Sequence, residues 1–138
     1  MARLRRKLDG ARGSLPQPEI AEARGAKVGL VAYGSSHWAL LEARDQLGAL
    51  GLPCDYLRVR ALPLSARVHE FVAAHERIVV VEQNRDGQLA DRLRAECPQH
   101  AERIESVLHF TGLPLDAQTV IDGVLARERP RVAEGAAR

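Results

Sequence analysis

The sequence predicts an α/β domain in which helices cover both faces of a mixed or parallel sheet. Three observations lead there. Val28 to Ser36, VGLVAYGSS, is an apolar run ending in a small-residue turn; Arg77 to Glu82, RIVVVE, is a second apolar run rich in β-branched residues; and strand and helix patterns alternate four times along the chain. The first run is the expected central strand. Val28, Leu30, Val31, Ala32 and Tyr33 are nearly continuous around Gly29, as a strand buried on both faces requires. Gly34-Ser35-Ser36 then turns the backbone and offers hydroxyls to cap the next helix, a place where strand-to-helix turns hold phosphate or meet a partner.

The elements before and after this strand follow from their own patterns. Residues 1–26 are polar and irregular, with Arg3, Arg5, Arg6 and Lys7 ahead of Asp9, and Leu4 to Ala11 has room for one or two helical turns. This stretch reads as an arm or linker. Pro16 and Pro18 impose an extended path, so Glu19 to Glu22 is expected as a short edge strand. From Ser36 to Leu50, Trp38, Leu41, Leu47 and Leu50 with Ala39 and Ala43 recur at helical spacing, and Gly51 and Pro53 stop the helix. Asp55 to Arg60, DYLRVR, sets Tyr56, Arg58 and Arg60 on one strand face against Leu57 and Val59, which suggests a strand near an edge or an interface. The two arginines there are candidates for an acidic partner or phosphate, or for a solvated or paired strand face.

Ser65 opens a helix whose buried face is Val68, Phe71 and Val72. Arg77 to Glu82 then runs into Gln83-Asn84-Arg85-Asp86-Gly87-Gln88, the densest polar group of the chain, at the carboxyl end of an interior strand where open α/β sheets place ligands or partners. Asn84 or Asp86 is expected to cap the following helix, Gly87 to let backbone approach closely, and Gln83, Arg85 and Gln88 to remain for recognition. That helix ends at Cys97-Pro98. A bridge at His100 to Arg103, a strand at Ile104 to His109, a turn at Thr111 to Pro114 with Asp116 as cap, and a helix buried through Val120, Ile121, Val124 and Leu125 complete the order, with a polar tail from Arg127.

Composition excludes several classes. At 138 residues the chain is one domain able to bury roughly two-thirds of its unfolded surface. Its 20 basic and 18 acidic residues are interspersed and aromatics are 4%, which argues against a base-stacking, nucleic-acid-binding surface. No apolar run approaches a membrane span of about 20 residues, and no apolar stretch follows the N-terminal arginines as a secretory signal would need. Two cysteines, Cys54 and Cys97, lie far apart and outside any CxxC motif, so a four-cysteine cluster cannot be built from one chain and a reduced, cytoplasmic setting is expected. His37, His69, His75, His100 and His109 lack i, i+4 pairing and read as caps and surface positions, with no metal site. There is no GxGxxG after the first strand, no GxxxxGK[ST] and no GxSxG, so no catalytic or cofactor-binding residue is named.

Four segments carry a family resemblance. VGLVAYGSS, DYLRVRALPL, RIVVVEQNRDGQLADRL and SVLHFTGLPLDAQTVI resemble, in this order, the C-terminal region of the α subunit of 2-oxoacid:ferredoxin oxidoreductases, particularly the 2-oxoglutarate type. That region is similar to the transketolase C-terminal domain. The match runs from about Lys27 to Leu125, and RRKLDGARGSLPQPEI looks like the linker before it. The resemblance implies a three-layer α/β/α domain over 27–127, with a mostly parallel, five-stranded mixed sheet whose first strand is antiparallel, an arm or linker over 1–26 and a polar tail over 128–138. It also implies a complex that oxidatively decarboxylates a 2-oxoacid to acyl-CoA and passes electrons to ferredoxin, using thiamine diphosphate, magnesium, iron–sulfur clusters and coenzyme A.

The family holds thiamine mainly on the β subunit and on the preceding α-subunit domain, and its cluster ligands also lie outside these 138 residues. No decarboxylase activity is therefore expected from this chain alone, whether it is a separate subunit, a truncated gene product or a domain of a longer chain. Two functions are expected to compete. In the first, the turns Gly34, Ser35, Ser36 and Gln83, Asn84, Arg85, Asp86, Gly87, Gln88 pack against the thiamine-binding β subunit and the remaining α-subunit domains, with Arg58 and Arg60 on another contact face and a homodimer as a further option. In the second, the same turns bind phosphate or a nucleotide in an independent module. A domain made for an interface should leave a large apolar patch exposed.

Overall fold

A computed structural model describes residues 6–7, 10 and 14–135, with side chains described as far as residue 128. Five strands form one sheet in the order β1-β3-β2-β4-β5, where β1 is Glu19–Ala21, β2 Val28–Tyr33, β3 Cys54–Val59, β4 Arg77–Glu82 and β5 Ile104–Leu108. The strand expected at the centre is at the centre. β2 pairs parallel with β3 on one side and with β4 on the other, so Leu30 lies between Tyr56 and Val79, and Val31 between Leu57 and Val80. β4 and β5 are also parallel, and only β1 runs antiparallel, against β3. The expected five-stranded mixed sheet is therefore observed, including the short edge strand at Glu19.

Among the described residues four α-helices cover it: α1 His37–Ala49, α2 Ala66–Ala74, α3 Gln88–Glu96 and α4 Ala117–Gly135. Helices α1 and α4 share one apolar layer with Leu30, Tyr56, Val79 and Val81. Helices α2 and α3 share the other with Val31, Leu57, Ile78 and Val80. Alternation along each strand therefore feeds two cores, which explains why β4 reads as continuous hydrophobe: all six of its residues are buried. Gly29 has a packing reason, since a Cβ there would stand 2.6 Å from Phe71 Cε1 and 2.9 Å from Ile78 Cδ1. Gly51, at φ 86°, follows α1 in the left-handed conformation while the Leu52 N–H returns to the Leu47 carbonyl, the helix stop expected there.

Several expectations need correction. Trp38 and Leu50 do not belong to the buried face of α1; they are 75% and 66% exposed, and Ala39, Leu40, Ala43 and Leu47 make that face. Trp38 lies two residues before Leu40, about 200° around the axis, so a helix placing Leu40 on the sheet turns Trp38 to solvent. The strand DYLRVR is near the edge as expected, second from it with the short β1 on its outer side, but its Tyr56 is only 1% exposed. His75 is the C-cap of α2, as one of the two readings had it, but it is buried and not at the surface, with Nδ1 2.7 Å from the Phe71 carbonyl and Nε2 3.0 Å from Asp55 Oδ2. Helix α4 continues to Gly135, past Arg127 where a polar tail was expected to begin. Of the expected helical turns in Leu4 to Ala11, residues 6, 7 and 10 are helical; the rest, like Arg3 and Arg5, lie outside the described residues.

Candidate functional site at the carboxyl edge

Strands β2 and β4 are neighbours, yet their chains leave in opposite directions. β2 leads to α1 in one helical layer and β4 leads to α3 in the other, which opens a crevice at the carboxyl edge between them. Both polar turns singled out in the sequence are in that crevice. Gly34, at φ 62°, starts a single 3-10 turn through Ser36, and Ser36 is buried. The Gln83 amide nitrogen donates to Ser35 Oγ and Ser36 Oγ, each at 3.1 Å. Neither serine caps α1, contrary to expectation, because both hydroxyls face across to the β4 turn.

The second turn is organised by two side chains. Asn84 Oδ1 accepts from the backbone N–H groups of Asp86 and Gly87 at 3.1 and 2.7 Å, while its amide nitrogen donates to Tyr33 Oη at 3.3 Å and to Glu82 at 2.8 Å. Glu82 itself is fully buried, and its carboxylate accepts the N–H of Leu89 at 2.8 Å and of Ala90 at 2.9 Å. These are the free donors of the first turn of α3. The cap expected of Asn84 or Asp86 is thus supplied by Glu82, because Asn84 is spent on the turn and Asp86 pairs outward with Arg85 at 2.8 Å. Gly87 is needed for its positive φ of 64°.

Arg58 and Arg60 are held elsewhere. They reach across the β1–β3 pairing to Glu19, at 3.3 and 3.4 Å, and so form the paired strand face that was one of the two alternatives. Arg60 also borders an apolar cavity of this edge, about 480 Å³, lined by Tyr33, Gly34, Val59, Leu62, Leu89 and Arg92 among others. The structure therefore gathers Gly34, Ser35, Ser36 and Gln83 to Gln88 in one crevice, keeps Arg60 at its apolar flank, and leaves Arg58 with Glu19 at the sheet margin. Sequence reasoning missed Tyr33, Leu62, Leu89 and Arg92, which only the sheet order brings together, and Glu82, which carries no local capping pattern.

Exposed apolar side chains concentrate on the same edge. Of the six large hydrophobics that are exposed among the described residues, Tyr33, Trp38, Leu62, Phe110 and Leu113 lie at or just beyond the carboxyl ends of β2, β3 and β5, and only Leu50 is at the opposite end of α1. Beneath them His37 Nδ1 lies 3.1 Å from Tyr56 Oη, and burial pushes the Tyr56 phenol up to about 12, with Arg58 partly opposing. No three of the described His, Cys, Asp and Glu residues converge on a metal position. Cys54 and Cys97 belong to the two different apolar layers, on opposite faces of the sheet, so they cannot jointly ligate a cluster. Among the described residues no helix is long and apolar enough to cross a membrane. What the edge offers chemically is amides, hydroxyls, guanidinium groups and apolar surface, groups suited to recognition.

No protein-family model matches the chain. The α subunit of 2-oxoacid:ferredoxin oxidoreductase 2 from Aeropyrum pernix is 36% identical over an alignment 106 residues long that covers 73% of this chain and 16% of that subunit. The chain thus spans about one-sixth of the curated relative it matches. Among solved structures, 2-oxoglutarate:ferredoxin oxidoreductase from Magnetococcus marinus, with 2-oxoglutarate, coenzyme A and succinyl-CoA bound, superposes with a TM-score of 0.75 and 25% identity over 86% of this chain and 21% of that one. A split-gene transketolase, an inactive β4 tetramer, matches with a TM-score of 0.66 at 20% identity over 80% of this chain and 40% of its own, a likeness of fold alone.

Proposed function

This chain is a homologue of the α subunit of 2-oxoacid:ferredoxin oxidoreductases with a transketolase-like fold, and from that premise we propose that it is an assembly unit of such an oxidoreductase, of the 2-oxoglutarate type. Its task is docking within the complex, whose whole reaction converts a 2-oxoacid to acyl-CoA and reduces ferredoxin. The observation that carries this reading is the apolar rim: Tyr33, Trp38, Leu62, Phe110 and Leu113 stand exposed on one edge, around a polar crevice whose groups bond to each other. A patch of this kind marks surface meant to be covered. In this reading the partners are the thiamine-binding β subunit and the remaining α-subunit domains, and the setting is the cytoplasm. Residues 27–127 form the domain, 1–26 an arm or linker that lends the edge strand, and 128–138 a polar tail.

Cys54 and Cys97 are buried on opposite sides of the sheet and cannot together ligate an iron–sulfur cluster, and in this reading thiamine diphosphate, magnesium and coenzyme A are likewise held by other parts of the assembly. The alternative of an independent phosphate- or nucleotide-binding module has less support, because Ser35, Ser36 and Gln83 already satisfy one another where an anion would sit. The test is the native mass and cofactor content of the tagged chain recovered gently from its own cells. Recovery with larger subunits carrying thiamine diphosphate and iron–sulfur is the expected result, and recovery as a cofactor-free monomer or homodimer would overturn the assembly reading.

A further inference from the structure

The apolar cavity beside the crevice has a chemical character of its own. Its walls are Val59, Ala61, Leu62, Leu89 and the ring of Tyr33, and among the described residues the only charged ones that line it are Arg60 and Arg92. None of the described carboxylates lines it. At about 480 Å³ it falls within the range of roughly 300–1,000 Å³ typical of pockets that seat a ligand or a side-chain anchor. Leu62 stands 63% exposed at its mouth, and the Arg60 and Arg92 side chains are 45% and 52% exposed. Both arginines have partners, Arg60 with Glu19 on the surface and Arg92 with Glu96, which is 19% exposed and also bonds His69, and the five N–H donors of a guanidinium leave room to meet a second carboxylate.

Resting on the assembly reading, we infer that this cavity receives a segment of a partner subunit that carries one large apolar side chain flanked by carboxylates. The apolar side chain fills the space between Leu62 and Leu89, and the flanking carboxylates meet Arg60 and Arg92. Charge complementarity selects this occupant. The ends of the chain itself bring the opposite charge, with Arg3, Arg5, Arg6 and Lys7 at one and Arg129, Arg131 and Arg138 at the other.

The test titrates the isotope-labelled full chain with the capped peptide Glu-Asp-Phe-Leu-Asp-Glu, followed by amide chemical shifts. Saturable shifts are expected at Tyr33, Ala61, Leu62 and Leu89, with binding about ten-fold weaker for the Leu62→Asp and Arg92→Glu variants and for a peptide whose acids are replaced by lysine. Leu62→Asp is at an exposed position and should leave the thermal midpoint unchanged, whereas Arg92→Glu loses the Glu96 pair and lowers it, so the fold of that variant is verified by far-UV circular dichroism and parent-like amide dispersion. No shift at about 1 mM peptide, or an equal response to the lysine peptide, overturns the inference. The assembly reading fails separately: if the wild-type chain co-purifies with its larger subunits while the peptide is ignored, docking stands and this cavity is not its seat. Peptide binding by a chain that recruits no subunit would keep the cavity and remove the assembly.

Discussion

Glu82 is the side chain on which the carboxyl edge depends most, and Glu82→Ala and Glu82→Gln measure how much. One of its oxygens accepts from Leu89 N–H and from Asn84, at 2.8 Å each, and the other from Ala90 N–H at 2.9 Å. Nothing replaces these bonds from solvent, because Glu82 is fully buried. Glu82→Ala strands two buried helix donors, each costing about 1–3 kcal/mol, and removes a cap whose charge opposes the positive end of α3, worth roughly 0.3–1 kcal/mol. The expected loss is about 3–5 kcal/mol. In Glu82→Gln the amide oxygen keeps the Leu89 and Asn84 bonds, but its nitrogen then confronts the Ala90 N–H. That single donor–donor conflict costs about 1.5–3 kcal/mol. Urea unfolding followed by far-UV circular dichroism reads both values, and amide hydrogen exchange should quicken at Leu89 and Ala90 before the rest of α3. A change below about 0.5 kcal/mol for Glu82→Ala, with Leu89 still protected, would refute the capping argument.

Three further outcomes are expected. Gly29→Ala puts a methyl 2.6 Å from Phe71 Cε1, inside a core that has no slack, and thermal unfolding should register a loss of about 1–3 kcal/mol; an unchanged midpoint would mean that Phe71 moves freely. Burial pushes the Cys54 thiol up to about 11, with Arg77 and Arg44 partly opposing, and burial also raises Cys97, so iodoacetamide at pH 8 should leave the native protein unmodified and add two adducts in denaturant, as counted by mass spectrometry. For Glu96, burial works to raise the carboxyl, but the hydrogen bonds and charges of His69 and Arg92 outweigh it and hold it below its ordinary 4.5. The folded value being the lower one, this stabilisation is complete above pH 4.5 and is lost as pH falls below that through the folded value. Glu96→Gln should therefore be less stable than the parent at neutral pH and converge with it in acid; a constant gap down to pH 3 would contradict this.

Strands were the most legible part of the sequence, because β2 and β4 are buried on both faces and apolar runs of four to six residues, too short for a buried helix, fit an interior strand. Turns were legible as turns, and their meeting across the crevice followed from the general geometry of open sheets. Their internal wiring was not. A serine before a helix and an asparagine before another suggest local caps, yet Ser36 bonds to Gln83, 47 residues away, and the cap of α3 comes from a strand residue seven positions before Leu89. The fate of Trp38 was hidden for a related reason: helical spacing tells which residues share a face, and the sheet decides which face is covered. Arg58 and Arg60 found Glu19 only through the antiparallel register of β1 on β3.

That three-residue strand has a consequence for the behaviour of the molecule in solution. β3 would otherwise present a row of unpaired backbone groups at the margin of the sheet, an invitation to strands of other molecules. β1 occupies that row, and being only Glu19–Ala21 with Glu19 clasped by two arginines, it offers little backbone for a further strand to extend. Proteolysis between Pro18 and Val28 would leave both apolar layers largely in place and yet produce a protein that clumps. The arm thus contributes less to the stability of the fold than to keeping its copies apart.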